Sequence, residues 1–308
     1  MTNLTFRQLR YFEALARLGH FGRAAEACAI SQPALSMQIK AMEEELGLEL
    51  LERGKRQARL TVAGVEIAER AREIIRSLDE LEGFARASRG GFVTKLRIGV
   101  IPTVAPYLLP GLVGDLARLH EGLDLHVRET LTPRLVQELN DGRLDMAIVA
   151  LPVSEPWLAE VALFTESFVL VRPHADDGKP IPDREALREM RLLLLEEGHC
   201  FREQALSFCE VKPRSMQPRD LLDASSLSTL VQMVDAGLGV TLIPQMAVAV
   251  ETRSASVSVV RFGEPEPTRT IGMVWRKTSP LSRQLLAIAD MVRSSAAALR
   301  QGSETAAR

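Results

Sequence analysis

Three cysteines, Cys28, Cys200 and Cys209, are the side chains of this chain best suited to covalent chemistry. A thiol reacts as its thiolate, and at an ordinary pKa of about 8.5 most of it is protonated at neutral pH. Cys200 follows Gly198 and His199 and opens an expected helix running through Phe208. Unpaired amides and the helix dipole at such a position favour the thiolate, while Glu196 and Glu197 would oppose it if they faced the thiol. Two readings stay open on these residues alone. One is a reactive thiol with a second cysteine on the same segment; the other is two apolar cysteines buried on one helix, the usual state of free cysteine. A Cys–His hydrolase is a weak reading, because neighbours in the chain point their side chains apart and a dyad is built from distant residues. No metal-ligand spacing and no Walker or Rossmann glycine pattern occurs. We therefore expect no enzyme activity, no cofactor and no metal. The odd cysteine count argues for a reducing compartment, the cytoplasm, and Cys28, set among small residues, reads as core.

A second chemistry lies near the N-terminus. Leu35, Ile39, Met42 and Leu46 recur at intervals of four, three and four, an amphipathic helix. Ser31 is its expected N-cap, Pro33 is tolerated in its first turn, and Gly47 ends it. Projection at the helical period puts Pro33, Ser36, Met37 and Lys40 opposite the apolar stripe, with Gln32 near the N-terminal end. This is the layout of a recognition helix in a helix-turn-helix, whose early residues meet base edges. Arg53, Lys55, Arg56 and Arg59 follow with no carboxylate among them, as a basic wing on DNA phosphates would. An ordinary helical domain with a solvated basic loop fits the same residues. Over residues 1–65, 9 Lys+Arg stand against 7 Asp+Glu, a balance of only +2, so placement matters more than net charge.

The elements that would position these groups divide a chain of 308 residues, 46% hydrophobic, 25% charged and of net charge −2. That length suits two or three domains, and no stretch is apolar enough to span a bilayer. Residues 1–60 read as the small helical domain. Ile67, Ala71, Ile74, Leu78, Leu81 and Ala85 form a heptad seam over residues 61–90, a long helix that needs a partner, most simply a second copy of itself. From residue 95 to 308, short apolar strands alternate with helices, an α/β pattern of sheets covered by helices. Two lobes are expected, about 95–165 with 268–300, and 166–267, with hinges near Phe164–Ser167 and in Glu264–Pro267.

Arg23-Ala24-Ala25-Glu26-Ala27, Ser31-Gln32-Pro33-Ala34-Leu35-Ser36, Ile39-Lys40, Glu45-Leu46-Gly47-Leu48, Leu51-Glu52-Arg53 and Leu60-Thr61-Val62-Ala63-Gly64 together resemble the LysR-type transcriptional regulators. The resemblance spans the chain. It implies a winged helix-turn-helix that binds double-stranded promoter DNA through Ser31, Gln32, Pro33, Ser36, Met37, Lys40, Arg53, Lys55 and Arg56. It further implies a dimerising linker helix and a two-lobed, periplasmic-binding-protein-like effector domain. Ile101 to Pro110, Glu196 to Ala205 with Phe208-Cys209, and Pro265 to Gly272 are similar to the peroxide-responsive, OxyR-like branch of that family. That likeness implies Cys200 as the peroxide-reactive thiol and Cys209 as the resolving one, with Thr103, Thr132, His199 and Arg269 around a bound hydrogen peroxide. It also implies an activator of oxidative-stress genes, assembled as a homotetramer and meeting RNA polymerase at its promoters.

The spacing of the pair then carries a structural demand. Nine steps along an unbroken α-helix separate Cys200 from Cys209 by about 13.5 Å, whereas a disulfide needs Cα atoms roughly 4.4–6.8 Å apart. A bridge between them requires the segment to unwind. The competing expectation is a LysR-type regulator that binds a small anionic metabolite between the lobes, its cysteines incidental.

Overall fold

In the computed structural model, residues 4–52, 58–87, 95–209 and 223–306 are described. They form two compact units, residues 1–89 and 90–308.

Among the described residues the first unit holds four helices: α1 (Phe6–Leu18), α2 (Phe21–Ala27), α3 (Gln32–Leu46) and α4 (Val62–Ala87). A capping box between Thr5 and Gln8 starts α1, and the Ser31 hydroxyl starts α3 by accepting from Ala34 N at 3.4 Å. Phe12, Leu15, Leu35, Ile39 and Met42 fill one core. A short antiparallel pairing of Leu51 with Leu60 closes the base of a wing, supported by Glu52 N donating to Arg59 O at 2.9 Å. The expected wing cations Arg53, Lys55 and Arg56 lie outside the described residues.

The long helix departs in part from the seam expected of it. Ala68 and Ala71 are buried in the unit's own core, and Ile67 and Ile75 pack against it. Ile74 and Leu81 remain 50% and 61% exposed. The N-terminal half of α4 therefore packs on its own domain, and only part of the seam is left for a second chain. Gly64 lets the helix approach the wing closely, since a Cβ there would meet Leu50 O at 2.1 Å.

In the second unit the elements run β1 (Lys95–Val100), α5 (Ala105–Leu119), β2 (Asp124–Glu129), α6 (Thr132–Asn140), β3 (Met146–Leu151) and β4 (Leu158–Pro173). They continue with α7 (Arg184–Glu189), β5 (Leu194–Leu195), α8 (Cys200–Phe208), β6 (Asp223–Ala224), α9 (Leu227–Asp235) and β7 (Thr241–Pro244). The last are α10 (Val248–Glu251), β8 (Val257–Arg261), β9 (Thr268–Arg276) and α11 (Ser282–Ala306). The main sheet has the order β2-β1-β3-β9-β4-β7, with β8 also on β4 and a separate parallel pair β5-β6. β1 is parallel to β2 and β3, whereas β9 is antiparallel to both β3 and β4.

Two cores result. One gathers residues of 96–163 and 271–296; the other gathers residues of 168–262, with Tyr107 reaching in from α5. The chain passes between them within β4, between Leu163 and Phe168, and again on entering β9. Strand β4 is far longer than the Ser167–Val171 run of apolar residues, because its first half alternates buried and exposed positions up to an irregularity between Ala162 and Phe164.

Candidate functional site

The polypeptide brings three loops together at the carboxyl ends of parallel strands, where α/β folds leave a crevice. Ile101-Pro102-Thr103 follow β1, Leu131-Thr132 follow β2 and open α6, and Gly198-His199-Cys200 follow β5 and open α8. These residues and Phe201 line one tight cavity, closed in this conformation to a water-sized molecule. Gly198 takes a left-handed conformation (φ +94°) to turn the chain into α8.

Within this cavity Cys200 is half-buried, at the first position of a helix whose N-cap is His199. Glu196 and Glu197 are exposed. Burial holds the His199 imidazole below its ordinary pKa, with Glu196 acting weakly the other way, so the ring is neutral at physiological pH. The Thr132 Oγ1 is buried with no hydrogen-bond partner among the described residues, a rare state for a hydroxyl and one a polar ligand would relieve. A second orphan acceptor, Gln204 Oε1, lies one turn beyond Cys200 on α8.

Arg269 is not in the wall of this cavity. It stands behind Thr103, 3% exposed, with Nη1 donating to Thr103 Oγ1 at 2.8 Å and Nη2 to Thr103 O at 3.0 Å. Glu166, a residue the sequence reading passed over, accepts from Arg269 Nε at 2.9 Å and Nη2 at 2.8 Å. Glu166 falls in the expected hinge Phe164–Ser167, but no local residue marks it as a site residue, because its partner is over a hundred residues away.

Cys209 caps the far end of α8 and is fully buried. The two thiols belong to different cores: Cys200 packs against the first, Cys209 within the second. None of the three cysteines is in a disulfide. Helix α8 is pinned by Arg202, whose Nη1 donates to Leu195 O at 2.6 Å and to Asp223 Oδ1 at 2.8 Å. It is also pinned by Phe201 stacked edge-on against Phe168 at 4.8 Å. Cys28 ends α2, and burial raises its thiol pKa.

A second cavity adjoins the first, sharing Pro102, Thr103 and His199, and has walls of Tyr107, Ser225, Ser226, Ser228, Glu129 and Glu251. Here Tyr107 Oη donates to Glu251 Oε1 at 2.6 Å and Ser228 Oγ to Glu251 Oε2 at 2.5 Å. Its walls carry two carboxylates and no Lys or Arg.

On the first unit, Gln32, Pro33, Ser36, Met37 and Lys40 are all exposed along one side of α3, Met37 at 66%. Lys40 meets Glu44 at 3.6 Å. Among the described residues no group of His, Cys, Asp or Glu could hold a metal ion, and no helix is long and apolar enough to cross a membrane.

Residues 6–65 match the family described as bacterial regulatory helix-turn-helix protein, lysR family, and residues 89–297 match the LysR substrate binding domain. A probable hydrogen peroxide-inducible genes activator of Streptomyces viridosporus is 46% identical over 272 residues, 87% of each chain. The DNA-binding transcriptional dual regulator OxyR of Escherichia coli K12 is 38% identical over 296 residues, 94% of this chain and 95% of that one. Among solved structures, a cysteine-to-aspartate variant of full-length OxyR from Pseudomonas aeruginosa superposes with a TM-score of 0.76 at 35% identity, covering 95% of this chain and 96% of that one. A cysteine-to-serine variant of Corynebacterium glutamicum OxyR, H2O2-bound, superposes with a TM-score of 0.68 at 32% identity, covering 98% and 96%.

Proposed function

The chain belongs to the LysR family of bacterial helix-turn-helix transcriptional regulators, a family of regulators and not of enzymes, and on that premise we propose that it is an OxyR-like, hydrogen peroxide-inducible activator switched by Cys200. The observation that carries the reading is the cavity in which Cys200 at a helix N-terminus meets Thr103, His199 and the unpartnered Thr132 hydroxyl. The Cys200 thiolate attacks one peroxide oxygen, the O–O bond breaks, and the other oxygen leaves as hydroxide to become water on protonation. Sulfur is oxidised by two electrons to a sulfenic acid. The Cys209 thiolate then attacks that sulfur, a disulfide forms, and the hydroxyl leaves as water after taking a proton.

This pair sits at the two ends of α8, in two different cores. Forming the bridge therefore costs the helix, the Arg202 anchor and the seat of Cys209 together. That loss is the signal the regulator would transmit. The competing reading, an anionic metabolite between the lobes, is disfavoured by the cavity that would receive it, whose walls hold Glu129 and Glu251 and no Lys or Arg.

Double-stranded promoter DNA is the partner of the first unit. Ser36, Met37, Gln32 and Lys40 on the exposed side of α3 would read the major groove, and Arg53, Lys55 and Arg56 would hold phosphates. Ser31 serves chiefly as the cap that fixes the helix start. A homodimer through the exposed part of α4, paired into a tetramer that contacts RNA polymerase, completes the reading. A resting thiol switch must be kept reduced, which favours the cytoplasm.

The test compares wild type with Cys200→Ser by DNA footprinting and in-vitro transcription, with and without peroxide. The wild-type footprint and transcript level change on oxidation, and the variant keeps the reduced pattern. A variant that responds as wild type does contradicts the reading.

A further inference from the structure

Reduction of peroxide by a thiolate puts an electron pair on the departing oxygen, and a hydrogen bond donated to that oxygen stabilises the charge as the bond breaks, solvent supplying the proton that completes the water. Thr103 is the cavity hydroxyl whose hydrogen has a fixed use. Its Oγ1 accepts from Arg269 Nη1 at 2.8 Å, and no acceptor among the described residues takes its own hydrogen. One lone pair is occupied from behind, so the O–H is left for the two adjoining cavities that Thr103 lines, one of which holds Cys200. A hydroxyl that accepts from a guanidinium is polarised and donates more strongly. It is worth most where negative charge is developing.

Arg269 can hold Thr103 this way only if it cannot turn. Glu166 supplies that constraint. One oxygen, Oε1, takes both Nε and Nη2 of the guanidinium, and the other, Oε2, takes the Met246 amide at 3.2 Å. The ion pair is buried on both sides, with side chains 0% and 5% exposed. The Phe201 ring, next to Cys200, lies 5.3 Å from the guanidinium carbon. Glu166 itself lines neither cavity.

We propose that Glu166 is a positioning residue for the peroxide reaction of Cys200: it clamps Arg269 so that Thr103 presents its hydroxyl hydrogen to the leaving oxygen. The inference rests on the peroxide reading above. Without the carboxylate, Arg269 is a buried charge lacking its counter-ion and free to seek other acceptors. Thr103 then loses the bond that directs its hydrogen.

The experiment is stopped-flow reaction of the reduced full-length protein with hydrogen peroxide and, separately, with iodoacetamide, whose leaving group is iodide and needs no proton. Wild type, Glu166→Gln, Thr103→Val and the double variant are compared at the high-pH plateau, where the thiolate fraction no longer matters. Glu166→Gln lowers the peroxide rate constant by roughly ten- to a hundredfold and leaves alkylation within about twofold. In the Thr103→Val background it causes no further loss. Equal losses toward both reagents, a full loss that persists without Thr103, or a peroxide rate unchanged by Glu166→Gln would each overturn the role of Glu166. A wild type that alkylates normally but ignores peroxide would overturn the sensor reading and this inference with it. Should circular dichroism find Glu166→Gln unfolded, Arg269→Lys, which keeps the charge but loses the fork, must show the same selectivity for peroxide and the same dependence on Thr103.

Discussion

Two threonines in the same cavity carry opposite burdens. Thr103 satisfies a buried guanidinium, so Thr103→Val leaves a donor stranded and costs about 1–3 kcal/mol of folding stability. Thr132 satisfies nothing among the described residues, so Thr132→Val leaves stability unchanged or raises it by up to about 1 kcal/mol while slowing the peroxide reaction. Urea titration beside stopped-flow kinetics checks both; a large stability loss in Thr132→Val would mean that its hydroxyl has a structural role. His199 offers a pH prediction. Its folded pKa lies below the ordinary value through burial, so it contributes stability above about pH 6.5 that is lost as pH falls through the folded pKa. The ring resonances of His199 should titrate below pH 6.5, and a midpoint above it would contradict the desolvated site. Cys28, in the other unit and with a raised pKa, takes no part, and Cys28→Ala should respond to peroxide as wild type does. At this scale Cys200, His199 and Thr103 stand in segments that resemble the family's, whereas Thr132 has no such segment around it and comes only with the resemblance. Glu166 stayed hidden, because its meaning comes from a cation far along the chain.

At the scale of elements, the proposed switch makes α8 the moving part. Its nine residues place the thiols at opposite ends and in opposite cores, so a bridge between them would unwind it. Amide hydrogen exchange over residues 201–208 should accelerate on oxidation in wild type and stay unchanged in Cys209→Ser. Persisting protection in a protein with the disulfide formed would contradict the unwinding. Most helices were readable from periodicity and caps: Ser31, Gly47 and the Leu35–Leu46 stripe sit as their residue types require. Strand β4 was only half readable, since its first part is edged by Glu160 and Glu166 and lacks a continuous apolar run. The seam of α4 divides between two uses. Small and apolar residues at helical spacing serve a near neighbour as well as a second chain, and Ile67 and Ala71 of the seam pack on their own domain. Gly64→Ala tests that packing: a Cβ 2.1 Å from Leu50 O forces α4 off the wing at a cost of about 1–3 kcal/mol, read as a lowered midpoint for unfolding of the first unit.

For the whole molecule, a helix-turn-helix unit and a thiol-bearing unit make one regulator. Neutralising Arg53 or Arg56 should weaken DNA binding across sequences and flatten its salt dependence, whereas changes at Ser36 or Met37 should alter sequence preference. Binding indifferent to all four would overturn the groove assignment. The near-neutral charge of the full chain concealed this partner, because a short basic segment was averaged against a large mixed-charge domain. The central claim is that peroxide closes a bond between two thiols that the reduced fold keeps apart. Peptide mass spectrometry of the reduced protein after one equivalent of hydrogen peroxide tests it most directly. The account predicts a Cys200–Cys209 disulfide formed in step with the change in DNA footprint; a footprint that changes while both thiols remain unmodified would contradict it.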